Sequence, residues 1–177
     1  IFITSGTTWT VPNDWNSADN TIVTIGAGAG GANGGTTSPG GGGGAYSKVS
    51  AIGLSAGDTA YYSIGTGGTG ASADSTAGGS GSNTWFNKAT NSAPVLATNG
   101  ALALGGTGGG TAAITTGGAG GSNTSGVGST KWSGGAGGNS STTDRTAATS
   151  PDFVILVVLV GLAFTQVHLF VIDGSIS

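Results

Sequence analysis

Residues 26–31, GAGAGG, match the spacing G-x-G-x-x-G through Gly26, Gly28 and Gly31. That spacing serves a dinucleotide when a strand precedes it and a helix follows, because the helix N-terminus holds the pyrophosphate. A β-prone run, TIVTI at 21–25, does precede it, but ANGGTTSPGGGGG follows and cannot form a helix. In a chain with 39 glycines the match reads as composition, and no cofactor is expected.

Other reactive side chains are scarce. His168 is the single histidine and sits in an apolar stretch, with no cysteine or glutamate to complete a catalytic or metal-binding set. Asp14 and Asp19 share one polar loop and read as turn and solubility residues before they read as a carboxylate pair. Asn123-Thr124-Ser125 and Asn139-Ser140-Ser141 have sequon spacing, which means little in so Asn-, Ser- and Thr-rich a chain. No catalytic or metal site is expected, and the protein reads as a non-enzyme.

Aromatic side chains are the remaining candidates, because flat apolar faces suit sugar stacking or an interface anchor. With few other large residues available, Trp9, Tyr46, Tyr62 and Trp85 are assigned to the core. Trp15, in its polar loop, and Trp132, between Lys131 and Ser133, are the expected surface-contact residues.

Composition narrows the partners. Seven aspartates against Lys48, Lys88, Lys131 and Arg145 give a net charge of −3, so no basic stripe exists for a phosphate backbone and nucleic acid is not expected. High glycine content with only 6% charged residues argues against ordinary disorder, which comes with high net charge. Four prolines and no strict G-X-Y period argue against collagen. The chain begins at Ile1, which suggests a fragment or a processed product.

The elements that must position these residues are β in type. Residues 2–4 and 8–11 flank Ser5-Gly6 as an expected hairpin, and strands are expected over 21–25, 45–52 and 59–64, the last two joined by a turn at Gly57-Asp58. TWFNKAT and PVLATNGALAL follow, with Asn99-Gly100 placed as a two-residue hairpin turn.

Between and after these runs lies glycine: residues 26–44, and three GGxGG copies at 105–109, 117–121 and 134–138. Glycine has no side chain to bury, so backbone hydrogen bonds alone offset the ordering entropy of about 1–2 kcal/mol per residue. Polyproline II geometry points every N–H and C=O outward, and these groups must pair with neighbouring segments. A side-by-side lattice is therefore expected in which Gly106, Gly118, Gly120, Gly135 and Gly137 accept no Cβ. The x residues Thr107, Ala119 and Ala136 should lie on an outer edge or be small enough to fit.

The expected fold is all-β with glycine-rich polyproline-II segments: a small β-sandwich over 1–104, a glycine sandwich over 105–150, and an apolar tail over 151–177. In order along the chain, WTVP, GAGAGGANGG, GGGGGAYSK, LSAGD and AYYSIGTGG resemble the glycine-rich domain of bacteriophage tail-fibre and tail-tip adhesin proteins. There a WTVPxG opening, an interrupted GGGGG block and a PGxxYxxxVGxGG element recur. The resemblance runs from about Phe2 to Gly138. It implies a structural and adhesive role on the virion surface, with partners among other copies of the chain, the trimer common to such fibres, virion proteins, and a bacterial surface glycan or outer-membrane protein. Ice or surface binding and a bacterial cell-surface adhesin are the alternatives.

The tail departs from that pattern. Residues 153–172 are twenty uncharged positions, enough for a membrane helix, yet nine are β-branched and Gly161 divides them into two strand-length halves. A one-nucleotide frame shift, which turns GGT and GCT codons into valine and leucine, is a third origin. Buried or interface strands, a frame-slipped end and a membrane helix all stay open, and the strand reading makes the tail an assembly element.

Overall fold

Residues 1–34, 37–111, 115–140 and 159–161 are described by the computed structural model, and all regular structure among them is β. Strand β2 (Asn20–Ile25) shows why: Asn20, Ile22 and Thr24 are buried while Thr21, Val23 and Ile25 are half-buried, the period-two alternation of a strand with one face in the core. It pairs antiparallel with β3 (Tyr46–Ser50), in which Ser47 and Val49 turn inward.

Two four-stranded antiparallel sheets result. One runs β7 (Thr130–Trp132), β3, β2, β8 (Leu159–Gly161). The other runs β1 (Thr8–Thr10), β4 (Thr59–Ser63), β5 (Thr84–Asn87), β6 (Gly100–Ala103). They close face to face on Val11, Ile22, Val49, Ile52, Leu54, Tyr62 and Phe86, with Ala60 and Ala101 filling the remaining space. Leu54 and Ile52 arrive from the β3–β4 connection, which the buried Asn20 ties down: its Oδ1 accepts from Ile52 N at 2.9 Å while its Nδ2 donates to Asn16 O at 2.8 Å and Ile52 O at 3.1 Å.

Two local expectations are corrected and one is met. Residues 2–4 and 8–11 form no hairpin about Gly6; β1 pairs with β4 instead, and Gly6, at φ +98, bends the chain toward it. The Gly57-Asp58 turn is present as expected, with Gly57 at φ +85, and it carries the chain from one sheet to the other. Asn99-Gly100 is not a hairpin turn: Gly100 opens β6, and Val95 and Leu96 stand exposed in the preceding loop.

Where the strands run out into glycine, the sandwich continues as a lattice. Residue 26 donates to 45, 29 to 42 and 32 to 39, each at 2.9 Å. Residues 27, 30 and 33 donate to 82, 79 and 76 at 2.9–3.1 Å. Bonds that recur every third residue are the mark of polyproline II, which has three residues per turn and no internal hydrogen bonds.

The remaining bonds fix the order of the segments. One row holds 65–71, 26–33, 39–45 and 134–138, and the second holds 76–82, 104–109 and 117–121, each second-row segment lying between two of the first. The core layer thins toward this region from Phe86 to the buried Ala27, Ala45, Ala101 and Ala103, and beyond them the two layers bond directly to each other. Paired sheets stand about 10 Å apart because side chains fill the gap. With glycine on both sides the gap closes.

Segments before and after residue 104 interlock here: Gly42 N donates to Thr107 O and Gly118 N to Gly40 O. Of the tail, Leu159–Gly161 alone is described, and its backbone pairs with Asn20, Thr21 and Ile22. Gly161 therefore ends a strand on the sheet edge. His168 and the rest of 151–177 lie outside the described residues, as does Arg145. No helix among the described residues is long and apolar enough to cross a membrane.

Candidate functional site

The glycines divide into two classes by what a Cβ would meet. At Gly106, Gly118, Gly120 and Gly137 it would come closer than 3.0 Å to a carbonyl oxygen of Gly42, Thr107, Gly134 and Gly40 respectively, a distance side-chain Cβ atoms do not occupy. Gly135 is the correction: nothing lies within 4 Å of its Cβ position, because the third GGxGG run stands at the margin of its row and turns this residue outward. Gly28 and Gly70 are equally open. Thr107, Ala119 and Ala136 are exposed, as the x positions of GGxGG should be.

GAGAGG is thus a lattice segment. Gly26 and Gly30 pack against the carbonyls of Leu104 and Thr69, and Ala29 N and Gly30 N donate to neighbouring glycine segments. Short polar side chains close the lattice margin, also at three-residue steps: Asn83 Oδ1 accepts from Gly105 N at 3.0 Å and Ser80 Oγ from Gly108 N at 3.3 Å. Asn139 Oδ1 takes Gly117 N at 2.9 Å. These Asn and Ser side chains cap the glycine runs.

The aromatic residues fall out differently from the sequence-based assignment. Tyr62 is buried, with its hydroxyl donating to Ser5 O at 2.8 Å, and Trp9 packs against the core from its edge. Trp15 is half-buried, not a free surface residue: it leans on the same core edge, edge-to-face with Trp9 at 5.3 Å between ring centroids and 68° between planes. The polar composition of its loop hid this, because the loop folds back onto the edge of the core. Trp85 and Tyr46 are not core residues. Phe86, one position on, takes the buried side of β5, and Ser47 and Val49 take that of β3. One residue of register moves a side chain across the sheet.

Tyr46 instead meets Trp132. The two face each other across the β3–β7 ladder, with ring centroids 4.8 Å apart and planes tilted 33°, and Trp132 is 61% exposed. Burial raises the Tyr46 phenol above the ordinary tyrosine range. Ile25 lies beside Tyr46 in register on β2, so Ile25, Tyr46 and Trp132 form a row across three strands. The next row on the same face is Val23, Lys48 and Thr130. Lys131 points the other way and donates to Gly126 O at 2.9 Å.

Asp14 and Asp19 are exposed in their loop, whose Asx turn is made by Asn16, with Oδ1 accepting from Ala18 N at 3.0 Å. No group of three histidine, cysteine or acidic side chains placed to hold a metal occurs among the described residues.

A glycine lattice capped by a two-sheet sandwich defines a structural class of protein, and the sequence agrees with it: the family described as a glycine-rich domain matches residues 3–159, and the chain belongs to that family. No curated protein matches the chain, and no solved structure does.

Proposed function

We propose that this chain is a non-enzymatic structural protein of a virion, part of a bacteriophage tail fibre or surface adhesin that contacts the bacterial host. The observation that carries the reading is the lattice: seven glycine segments held by backbone bonds in two rows make a stiff, uncharged body whose outer surface is free to present contact residues. Its sequence motifs resemble those of phage adhesins, and its partners on this reading are other copies of itself, virion proteins and a bacterial surface glycan or outer-membrane protein. Fluorescently labelled protein should decorate a subset of bacterial strains in a panel, and an antibody against it should label phage tails. Failure to adhere to any envelope, together with unlabelled virions, removes the reading.

A second reading rests on the outer side of the second row, where Ala77, Ser80, Asn83, Thr107 and Ala119 are exposed. Within a segment, such positions repeat every three residues, about 9 Å apart. An array of small side chains, Ser, Thr and Asn among them, at a regular step suits ordered water, so ice-crystal shaping by the recombinant protein favours ice or surface binding over the adhesin.

A further inference from the structure

We propose that the outer face of β7, β3 and β2 is a binding platform for a carboxylated sugar ring of a bacterial surface polysaccharide; the inference rests on the adhesin reading and supplies its ligand class. Across this face run the aromatic row Ile25, Tyr46, Trp132 and the mixed row Val23, Lys48, Thr130, set side by side by the strand registers. Trp132, 61% exposed, leaves an apolar plane open on this face, and Tyr46, 4.8 Å away, widens that plane. The apolar C–H side of a pyranose fits such a surface, and its hydroxyls stay at the rim, the division of labour that aromatic side chains with polar tips support.

The second row selects the charge. Lys48 shares the face with Tyr46, two residues along β3, and no residue on this face of the three strands is acidic, so its ammonium stands ready for an anion. One ammonium beside a flat aromatic pair matches one carboxylate on a sugar ring through a charge-assisted hydrogen bond. A nucleic-acid backbone would need several cations, and the chain as a whole carries −3. The lattice anchors the arrangement from below, since β2 and β3 run directly into residues 26–33 and 39–45, whose backbone bonds fix the strands that carry the platform.

The test uses the full chain and isothermal titration calorimetry, with oligogalacturonate as the acidic probe and a maltooligosaccharide of equal length as the neutral one. The parent should bind oligogalacturonate saturably and in preference to the neutral sugar. Trp132→Ala should lose about tenfold or more in affinity, as truncation of an exposed aromatic anchor does. Trp132→Tyr should retain most of it, and Lys48→Gln should erase the preference for acid. Thermal melts equal to the parent's confirm that the variants are folded; Trp132 is exposed and Lys48 half-buried. A parent that shows no response to oligogalacturonate, or a Trp132→Ala variant that binds as well as the parent, overturns the platform. Adhesion to bacterial envelopes separates the two levels of inference: parent and Trp132→Ala adhering equally removes the platform and leaves the adhesin, whereas a parent adhering to none removes both.

Discussion

A methyl group on Gly118 would overlap the carbonyl oxygen of Thr107, while the same methyl on Gly28 would touch nothing within 4 Å. Gly118 N meanwhile donates to Gly40 O at 2.8 Å, so one residue is held between two neighbouring segments. The chain cannot yield there without breaking bonds on both sides.

Glycine substitutions should therefore split in sign. Gly118→Ala and Gly106→Ala should destabilise by about 1–3 kcal/mol, the range of overpacking, with a further loss of about 0.5–1.5 kcal/mol for each lattice hydrogen bond released. Gly28→Ala and Gly135→Ala should be neutral or stabilise by about 0.4–1 kcal/mol through the unfolded chain. Thermal or urea melts of the four variants check this. Equal effects at Gly118 and Gly28 would mean that the two rows do not pack as described.

Asn20 offers a second test. Its amide satisfies one donor and two acceptors in a site only 3% exposed. Asn20→Ala leaves those backbone groups unpaired and should cost about 1–3 kcal/mol. Asn20→Asp presents a carboxylate to the carbonyls of Asn16 and Ile52 and should cost more at neutral pH, with part of the loss recovered in acid as the carboxyl is protonated. A variant that melts like the parent at neutral pH would contradict the buried network.

The strand register predicts a contrast between neighbours. Phe86, 1% exposed between the sheets, should cost about 3–5 kcal/mol when cut to alanine. Trp85, although larger, lies on the other face of β5 and its truncation should cost clearly less. Urea denaturation of the two alanine variants gives the comparison directly, and a reversed order would place the core on the wrong face.

Tyr46 makes stability depend on alkali. Burial raises its phenol pKa, so the folded state holds this proton more tightly than the unfolded chain does. That contribution is complete below the unfolded phenol range and is lost as pH rises through the folded value. Absorbance titration should show a late phenolate transition that Tyr46→Phe removes, and the variant's melting temperature should fall less steeply with alkali than the parent's. An unchanged titration in the variant would assign the late phenolate elsewhere.

The sequence by itself determined the material. Local composition makes residues 21–25, 46–50, 59–63 and 84–87 strands, because β-branched and aromatic residues there are bounded by turn formers. It also makes the glycine runs a lattice, since segments without side chains have only the backbone with which to hold one another. The GGxGG pattern carries its own geometry: a period of three puts x outward wherever the neighbours are close.

Only the tertiary structure decided which segments are neighbours, and so which residues are buried and which are exposed. Gly118 and Gly135 hold the same place in GGxGG, yet one faces the carbonyl of Thr107 and the other open space, because the position of a segment in its row is set by bonds to residues almost a hundred positions away. Trp15 and Trp132 both sit among polar residues, yet a folded-back loop presses one to the core while an edge strand leaves the other in water. Tyr46 and Trp132 are 86 residues apart and meet because β7 adds to β3 in one register. A local sequence carries no record of that pairing, since glycine-flanked strands of similar composition are chemically interchangeable until the whole lattice chooses among them.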